Sequence, residues 1–187
     1  MIPATMSASR NRVRIIGGLW RSRVIRFPPA AALRPTPDRV RETLFNWLGQ
    51  RLDGLACLDL FAGSGALGFE ALSRGAARAV MVEKDRAIAE ALRENARLLG
   101  AANAQVVCAD SLAYLARGAD RFDVAFIDAP YASDLAQRAM QALGPRLADV
   151  ARVYVESAAP LEAPAGWSET REGRAGAVRY ALYEVQR

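Results

Sequence analysis

The chain has 187 residues, is 52% hydrophobic and carries a formal net charge of +5, enough for one domain that buries roughly two-thirds of its unfolded surface. No run approaches the roughly 18 to 20 unbroken apolar residues of a membrane helix, and the first residues lack the apolar centre of a secretory signal, so a soluble, cytoplasmic protein without a membrane partner is expected. Histidine is absent, which excludes Ser-His and Cys-His catalytic arrangements and removes the commonest metal ligand; no metal is expected, and any chemistry must use carboxylates, backbone groups or a cofactor.

Residues 1–10 read as a flexible leader. In VRIIGGLWRSRVIRF, residues 13–27, apolar and basic positions alternate around Gly17-Gly18, which predicts a strand pair with a glycine turn or bulge and arginines on one open face. The first fifty residues hold nine arginines against Asp38 and Glu42, a net of +7, while the remainder nets −2. Lys84 is the only lysine, and arginine's planar fork suits phosphates and base edges better than a point charge does. A solvated basic tail is the bland reading. Alternation of the arginines with Val13, Ile15, Trp20, Val24 and Phe27 implies folded structure and favours a polyanionic partner. After Pro28-Pro29, RPTPDRVRETLFNWL reads as a helix with Thr36 or Asp38 as cap, Pro37 near its first turn, and Val40, Leu44, Phe45 and Leu48 on its apolar face.

From Leu55 onward short apolar strands alternate with amphipathic helices, the pattern of an α/β doubly wound parallel sheet. Strands are predicted at 56–61, 79–82, 104–108, 124–127 and 152–155. The clearest helix is 86–99, with Ile88, Leu92, Ala96 and Leu99 on one face and Gly100 as its stop. Cys57 and Cys108 each lie in an apolar run that reads as a buried strand, so both are assigned to core packing. The tail reads as strands at 167–174 and 177–185 around Ala175-Gly176, an antiparallel hairpin closing the sheet.

LDLFAGSGALGFEAL passes from a buried strand through Gly63, Gly65 and Gly68 into a helix, so backbone can approach a ligand at the helix N-terminus. That spacing alone is shared with nicotinamide-binding proteins and with plain turns. Asp59, four residues before Gly63, suits the ammonium of an amino-acid-like ligand and would sit awkwardly beside a pyrophosphate. Glu83 follows the next strand, where a carboxylate can accept both hydroxyls of a ribose. Asp110-Ser111 stands where a side chain and a backbone N–H can read an adenine edge, or where an Asp simply caps a helix. Most specific is Asp128-Ala129-Pro130-Tyr131 after the strand VAFI. A carboxylate and the Ala129 carbonyl can accept the two N–H bonds of a planar amine while Tyr131 stacks on its ring. Such holding matters because an aryl amine shares its lone pair with the ring and is a poor nucleophile until oriented.

The order LDLFAGSGALGFEALSRGA, VEKD, ADS, DAPY resembles the class I S-adenosylmethionine-dependent amino-methyltransferases. RIIGGLWRSR and LRPTPDRVRETLFNWL narrow the resemblance to the RsmD-like family, which methylates the guanine N2 amine in small-subunit (16S) ribosomal RNA, and it runs from about Arg14 to the C-terminus. It implies a Rossmann-like seven-stranded sheet with a C-terminal antiparallel hairpin and a small N-terminal β-hairpin extension. The corresponding division is a leader at 1–10, a basic RNA-contacting extension at 11–50 and a methyltransferase domain at 51–187. Asp59, Gly63 and Gly65 would cradle the methionine portion of S-adenosylmethionine, Glu83 the ribose and Asp110 the adenine, with Phe61, Lys84 and Ser111 also binding the cofactor and Thr36 beside cofactor and RNA. Asp128, Ala129, Pro130 and Tyr131 would form the target-base site, and Arg12, Arg14, Arg21, Arg23, Arg34 and Arg39 would contact RNA. The family usually has a second proline where this chain has Ala129, a change the contact tolerates because it uses a backbone carbonyl.

The expected enzyme is a monomer acting on 16S ribosomal RNA within the small subunit or its assembly intermediate. Two other readings remain open at this level. One keeps the machinery but methylates adenine N6 or cytosine N4 of DNA; the other is a non-catalytic RNA-binding assembly factor. A nicotinamide oxidoreductase fits least, since nothing resembles a hydride-acceptor site.

Overall fold

The computed structural model describes residues 11–29, 35–130 and 133–186. The leader, Arg34 and Tyr131 therefore lie outside the described residues. The arm opens with β1 (Arg12–Arg14) and β2 (Val24–Arg26), paired antiparallel with Val13 opposite Ile25. Both of those are buried, whereas Arg12, Arg14 and Arg26 are exposed, as the two-residue period of a strand requires. The glycine pair does not form a tight turn between them. Residues 15–23 instead make a long connection laid against the main domain, and Gly18, at φ +76°, is pressed so close to the Ser73 carbonyl that a Cβ would collide with it. Leu19 N–H donates to that carbonyl at 2.7 Å.

Helix α1 (Asp38–Trp47) follows, burying Val40, Arg41, Leu44 and Phe45. Its N-cap is Pro37, with no side-chain cap bond. The expected caps fail for a tertiary reason: the Thr36 hydroxyl bonds to a residue on the far side of the chain, and Asp38, already inside the helix, pairs with Arg14 and Arg41.

Next come β3 (Ala56–Asp59), α2 (Ala66–Ser73), β4 (Arg78–Glu83), α3 (Arg86–Leu99), β5 (Ala104–Cys108), α4 (Ser111–Arg117), β6 (Phe122–Asp128), α5 (Leu135–Leu143), β7 (Leu147–Ser157), β8 (Trp167–Ala175) and β9 (Val178–Gln186). The seven strands form one sheet in the order β5-β4-β3-β6-β7-β9-β8. The five from β3 to β7 are mutually parallel, and the terminal hairpin enters with β9 antiparallel between β7 and β8. Cys57, Met81, Val124 and Phe126 join an apolar cluster with α1, α2, α3 and the arm, and Leu58, Val80, Val82, Ala125 and Ile127 join a second with α4 and α5. Coverage on both faces explains why these strands read as continuous apolar runs.

Helix α3 matches its predicted span, capped by Asp85 accepting from Ile88 N–H and ended by Gly100 at φ +69°. Cys57 is buried, and burial pushes its thiol up to about 12. Cys108 is exposed instead: β5 is an edge strand, so an apolar run there is covered on fewer sides. β7 runs eleven residues, longer than its apolar stretch, because pairing with β9 carries it through polar positions. Among the described residues no helix is long and apolar enough to cross a membrane.

Polar groups fasten the arm. Fully buried Glu70 on α2 accepts from the backbone N–H of Ile16 at 2.9 Å and Gly17 at 2.8 Å, from Arg74 at 2.8 Å and from Arg41 at 3.3 Å. Asn95 on α3 accepts from Arg26 N–H and donates to the Arg26 carbonyl, clasping β2 from the other side.

Candidate active site

The chain leaves β3 toward β4 and β5 on one side of the sheet and returns through β6 to build the other. The strand order thus reverses between β3 and β6, and the crevice beyond their carboxyl ends is where open α/β sheets take ligands. Acids gather there: β3 ends on Asp59, β4 on Glu83 and β6 on Asp128, and Glu156 lies one residue from the end of β7, in register with Asp128. Among the described residues none of Asp59, Glu83 or Asp128 takes part in an ion pair with a basic side chain.

Between β3 and α2 the loop carries Gly63 at φ +50° and Gly65 at φ +78°. A Cβ at Gly65 would run into the Phe69 and Leu92 side chains at 2.6–2.7 Å, so only glycine brings this turn close over the helix start. Asp59, 2% exposed, accepts from the Gly68 N–H of that helix at 2.9 Å. Burial raises its carboxyl to about 7; the Gly68 bond opposes the rise and the Glu83 charge adds to it. Glu83 accepts from Gly63 N–H at 3.0 Å and from Asp85 N–H at 2.8 Å, tying the glycine loop to β4. Phe61 is half-buried beside this loop and Lys84 is exposed.

Asp110 is exposed and caps α4, accepting from Ala113 N–H at 2.9 Å. Ser111 is buried, and its hydroxyl donates to the Leu60 carbonyl at 2.8 Å. That bond pins the start of α4 to the residue just past β3, so Asp110 and Ser111 are both engaged in structural bonds.

The Asp128 carboxyl is held well above the ordinary range, first by burial and then by the charges of Glu156 and Asp59; the bond from Thr36, at 3.2 Å, pulls it down. Asp128 is therefore near enough to Asp59 to feel its charge. Ala129 is buried and Pro130 exposed, with the Pro130 carbonyl accepting from the Ser133 hydroxyl at 2.7 Å.

On the arm Arg12, Arg14, Arg21, Arg23 and Arg39 are all exposed. Arg14 pairs with Asp38 at 3.3 Å and Arg23 donates to the Leu98 carbonyl at 3.0 Å. A groove of about 530 Å³ runs between the arm strands and residues 35–38, lined by Arg12, Val13, Arg14, Val24, Thr36 and Asp38 among others. Thr36 joins this groove to Asp128. The structure thus brings Asp59, Gly63, Glu83 and Asp128 to one edge and sets Thr36 against Asp128.

Two features escape a linear reading. Glu156 stands one residue before the end of β7, an acid near a strand end like Asp59, Glu83 and Asp128, but its place beside Asp128 depends on β6 and β7 pairing in that register. The Thr36–Asp128 bond spans 92 positions, and no local pattern announces it.

A family model described as conserved hypothetical protein 95 matches residues 13–184. The ribosomal RNA small subunit methyltransferase D of Escherichia coli K12 is 46% identical over 179 residues, covering 93% of this chain and 90% of that protein. Its namesake in Haemophilus influenzae is 41% identical over 184 residues, covering 94% and 95% respectively. The solved structure of an Escherichia coli protein provisionally named a methyltransferase superposes with a TM-score of 0.86 at 46% identity, covering 94% of this chain and 98% of that one. With its sheet, its glycine loop and nearly its whole length matched, the chain belongs to the conserved hypothetical protein 95 family, the RsmD-like methyltransferases.

Proposed function

We propose that this protein transfers a methyl group from S-adenosylmethionine to the exocyclic N2 amine of a guanine in small-subunit ribosomal RNA. The observation that carries the proposal is the joining of two unlike surfaces: a cluster of buried and half-buried acids at the switch point, and an exposed arginine face that reaches it through Thr36. The names and coverage of the curated relatives support the RNA substrate.

The residues present fit the cofactor. S-adenosylmethionine carries an ammonium and a sulfonium, and a site with Asp59, Glu83 and Asp128 but no basic partner among the described residues suits a ligand with two positive centres. Gly63 and Gly65 keep the loop low enough for close approach, Asp59 would meet the ammonium end and Glu83 the ribose hydroxyls, with Phe61, Lys84, Asp110 and Ser111 along the same edge. When bound, the cofactor supplies a methyl carbon on a positively charged sulfur, open to attack by a nucleophile. Asp128 and the Ala129 carbonyl accept the two N–H bonds of the guanine amine and aim its lone pair. The raised affinity of Asp128 for protons suits it to take the proton that nitrogen sheds once bonded to carbon. Tyr131 is proposed to stack on the base, and the arm arginines, Arg34 included, to grip phosphates while the base swings out.

The substrate is read as the small subunit or its assembly intermediate, the place of action as the cytoplasm and the acting form as a monomer. Incubation with methyl-labelled cofactor and small subunits, followed by nucleoside mapping, tests the proposal. N2-methylguanine in the RNA is expected; label in DNA offered in competition, or none in guanine, would overturn it.

A further inference from the structure

We propose that Thr36 is a positioning residue for methyl transfer, holding the Asp128 carboxylate in the orientation that receives the target amine, and that the arm thereby completes the target-base site. This rests on the methyl-transfer reading above. It refines the sequence expectation, which set Thr36 beside the cofactor and RNA, by tying its hydroxyl to Asp128.

The geometry is direct. The Thr36 hydroxyl donates to Asp128 Oδ2 at 3.2 Å, and Thr36 is 5% exposed. Among the described residues the charged neighbours of Asp128 work against its charge: Glu156 lies in register on β7 with the Tyr154 hydroxyl bonded to it, and Asp59 stands at the end of β3. Like charges at close range favour protonation of one member. A protonated Asp128 would present a donor where the amine needs an acceptor. A hydroxyl donor on Oδ2 favours the ionised form and leaves Oδ1 to face the base.

Thr36 is built to hold still. Its side chain is β-branched and stiff at χ1, and Pro35 and Pro37 restrict the backbone on both sides. Its carbonyl accepts from Arg41 Nε at 3.2 Å, and Arg41, fully buried, is itself held by Glu70, Asp38 and the Arg14 carbonyl. The same Glu70 fastens residues 16 and 17 of the arm. Thr36 also lines the groove with Arg12 and Arg14. One buried network thus sets the phosphate-facing arm and the target-base carboxylate in a single frame.

The test compares Thr36→Val, which keeps the shape and removes the hydroxyl, with Thr36→Ser, which keeps the hydroxyl. Methylation of small subunits is measured across pH, and cofactor affinity by calorimetry. Thr36→Val is expected to lower kcat by about tenfold or more, as loss of a hydrogen bond to a charged group does. It should leave cofactor affinity within about twofold, and the acid limb of its kcat profile should move to higher pH because Asp128 protonates more readily without its donor. Thr36→Ser should restore kcat to within about threefold of wild type. Should Val at this position fail to fold, Thr36→Ala carries the same expectation. Unchanged kcat and acid limb in Thr36→Val, or equal loss in Thr36→Ser, would overturn the role. Loss of cofactor affinity in step with kcat would return Thr36 to the cofactor. Wild-type protein inactive on RNA would bring down the methyl-transfer reading itself, an outcome separate from an active wild type with an indifferent Thr36→Val.

Discussion

The arm and the carboxyl edge of the sheet use charge in opposite ways. On the arm Arg12, Arg14, Arg21 and Arg23 face solvent, while buried Glu70 of α2 fastens the arm's backbone at Ile16 and Gly17. At the edge the acids themselves are buried or half-buried and their charges press on one another. Exposed arginines cost little and attract a polyanion at long range. Clustered buried carboxylates are costly, and such cost concentrates where a ligand relieves it. The contrast teaches that the described residues keep two electrostatic environments, an exposed basic one and a buried to half-buried acidic one, linked by the Thr36–Asp128 bond.

The strongest way to break the comparison is Asp128→Ala. On the methyl-transfer reading it should cut kcat by a factor on the order of 10³ while cofactor affinity, measured by calorimetry, stays nearly intact. Equal loss of both would place Asp128 in the cofactor site. Glu70→Ala tests the other region. It leaves Arg41 buried without its full complement of partners, so stability should fall by about 3 to 5 kcal/mol. That is a drop of roughly 6 to 20 °C in the thermal midpoint for a chain of this size, readable by calorimetric scanning.

A smaller and graded effect follows from Asp59. Its carboxyl sits at about 7 in the free protein, and a cationic ligand favours the ionised form. Below that pH the ligand must displace a proton, so cofactor affinity should fall about tenfold per unit of further acidification and level off above pH 7. Affinity that stays flat from pH 5.5 to 8.5 would remove Asp59 from the ammonium contact. The smallest effect belongs to single arginines of the arm. Arg12→Ala or Arg21→Ala should weaken RNA binding severalfold and lower the slope of log affinity against log salt by about 0.7 to 0.9 each, with no change in cofactor affinity. A change in cofactor affinity instead would show that the two environments are not separate.

Much of the design was legible in one dimension because it repeats with local periods. The 86–99 helix declared itself through Ile88 and Leu92 at helical spacing and through Gly100. The parallel strands declared themselves as apolar runs, and Asp59, Glu83 and Asp128 stood out as acids at the ends of those runs. Cys108 misled for the same reason it was readable: an apolar run looks alike on a central and an edge strand, and only sheet order tells them apart. The helix start at 36–38 misled because Thr36 is a good cap by type, yet a stronger claim on its hydroxyl came from Asp128, 92 residues away.

By itself, then, the order of residues determined the class of fold, the place of the glycine loop and the family, since these depend on periodicity and on motifs read along the chain. Tertiary structure alone decided that Arg41 and Glu70 form a buried clasp, that Glu156 stands beside Asp128, and that Thr36 bonds to Asp128. Those contacts arise where distant segments meet, and hydrogen bonds between such segments gain weight from the burial they share, which no local stretch of sequence carries.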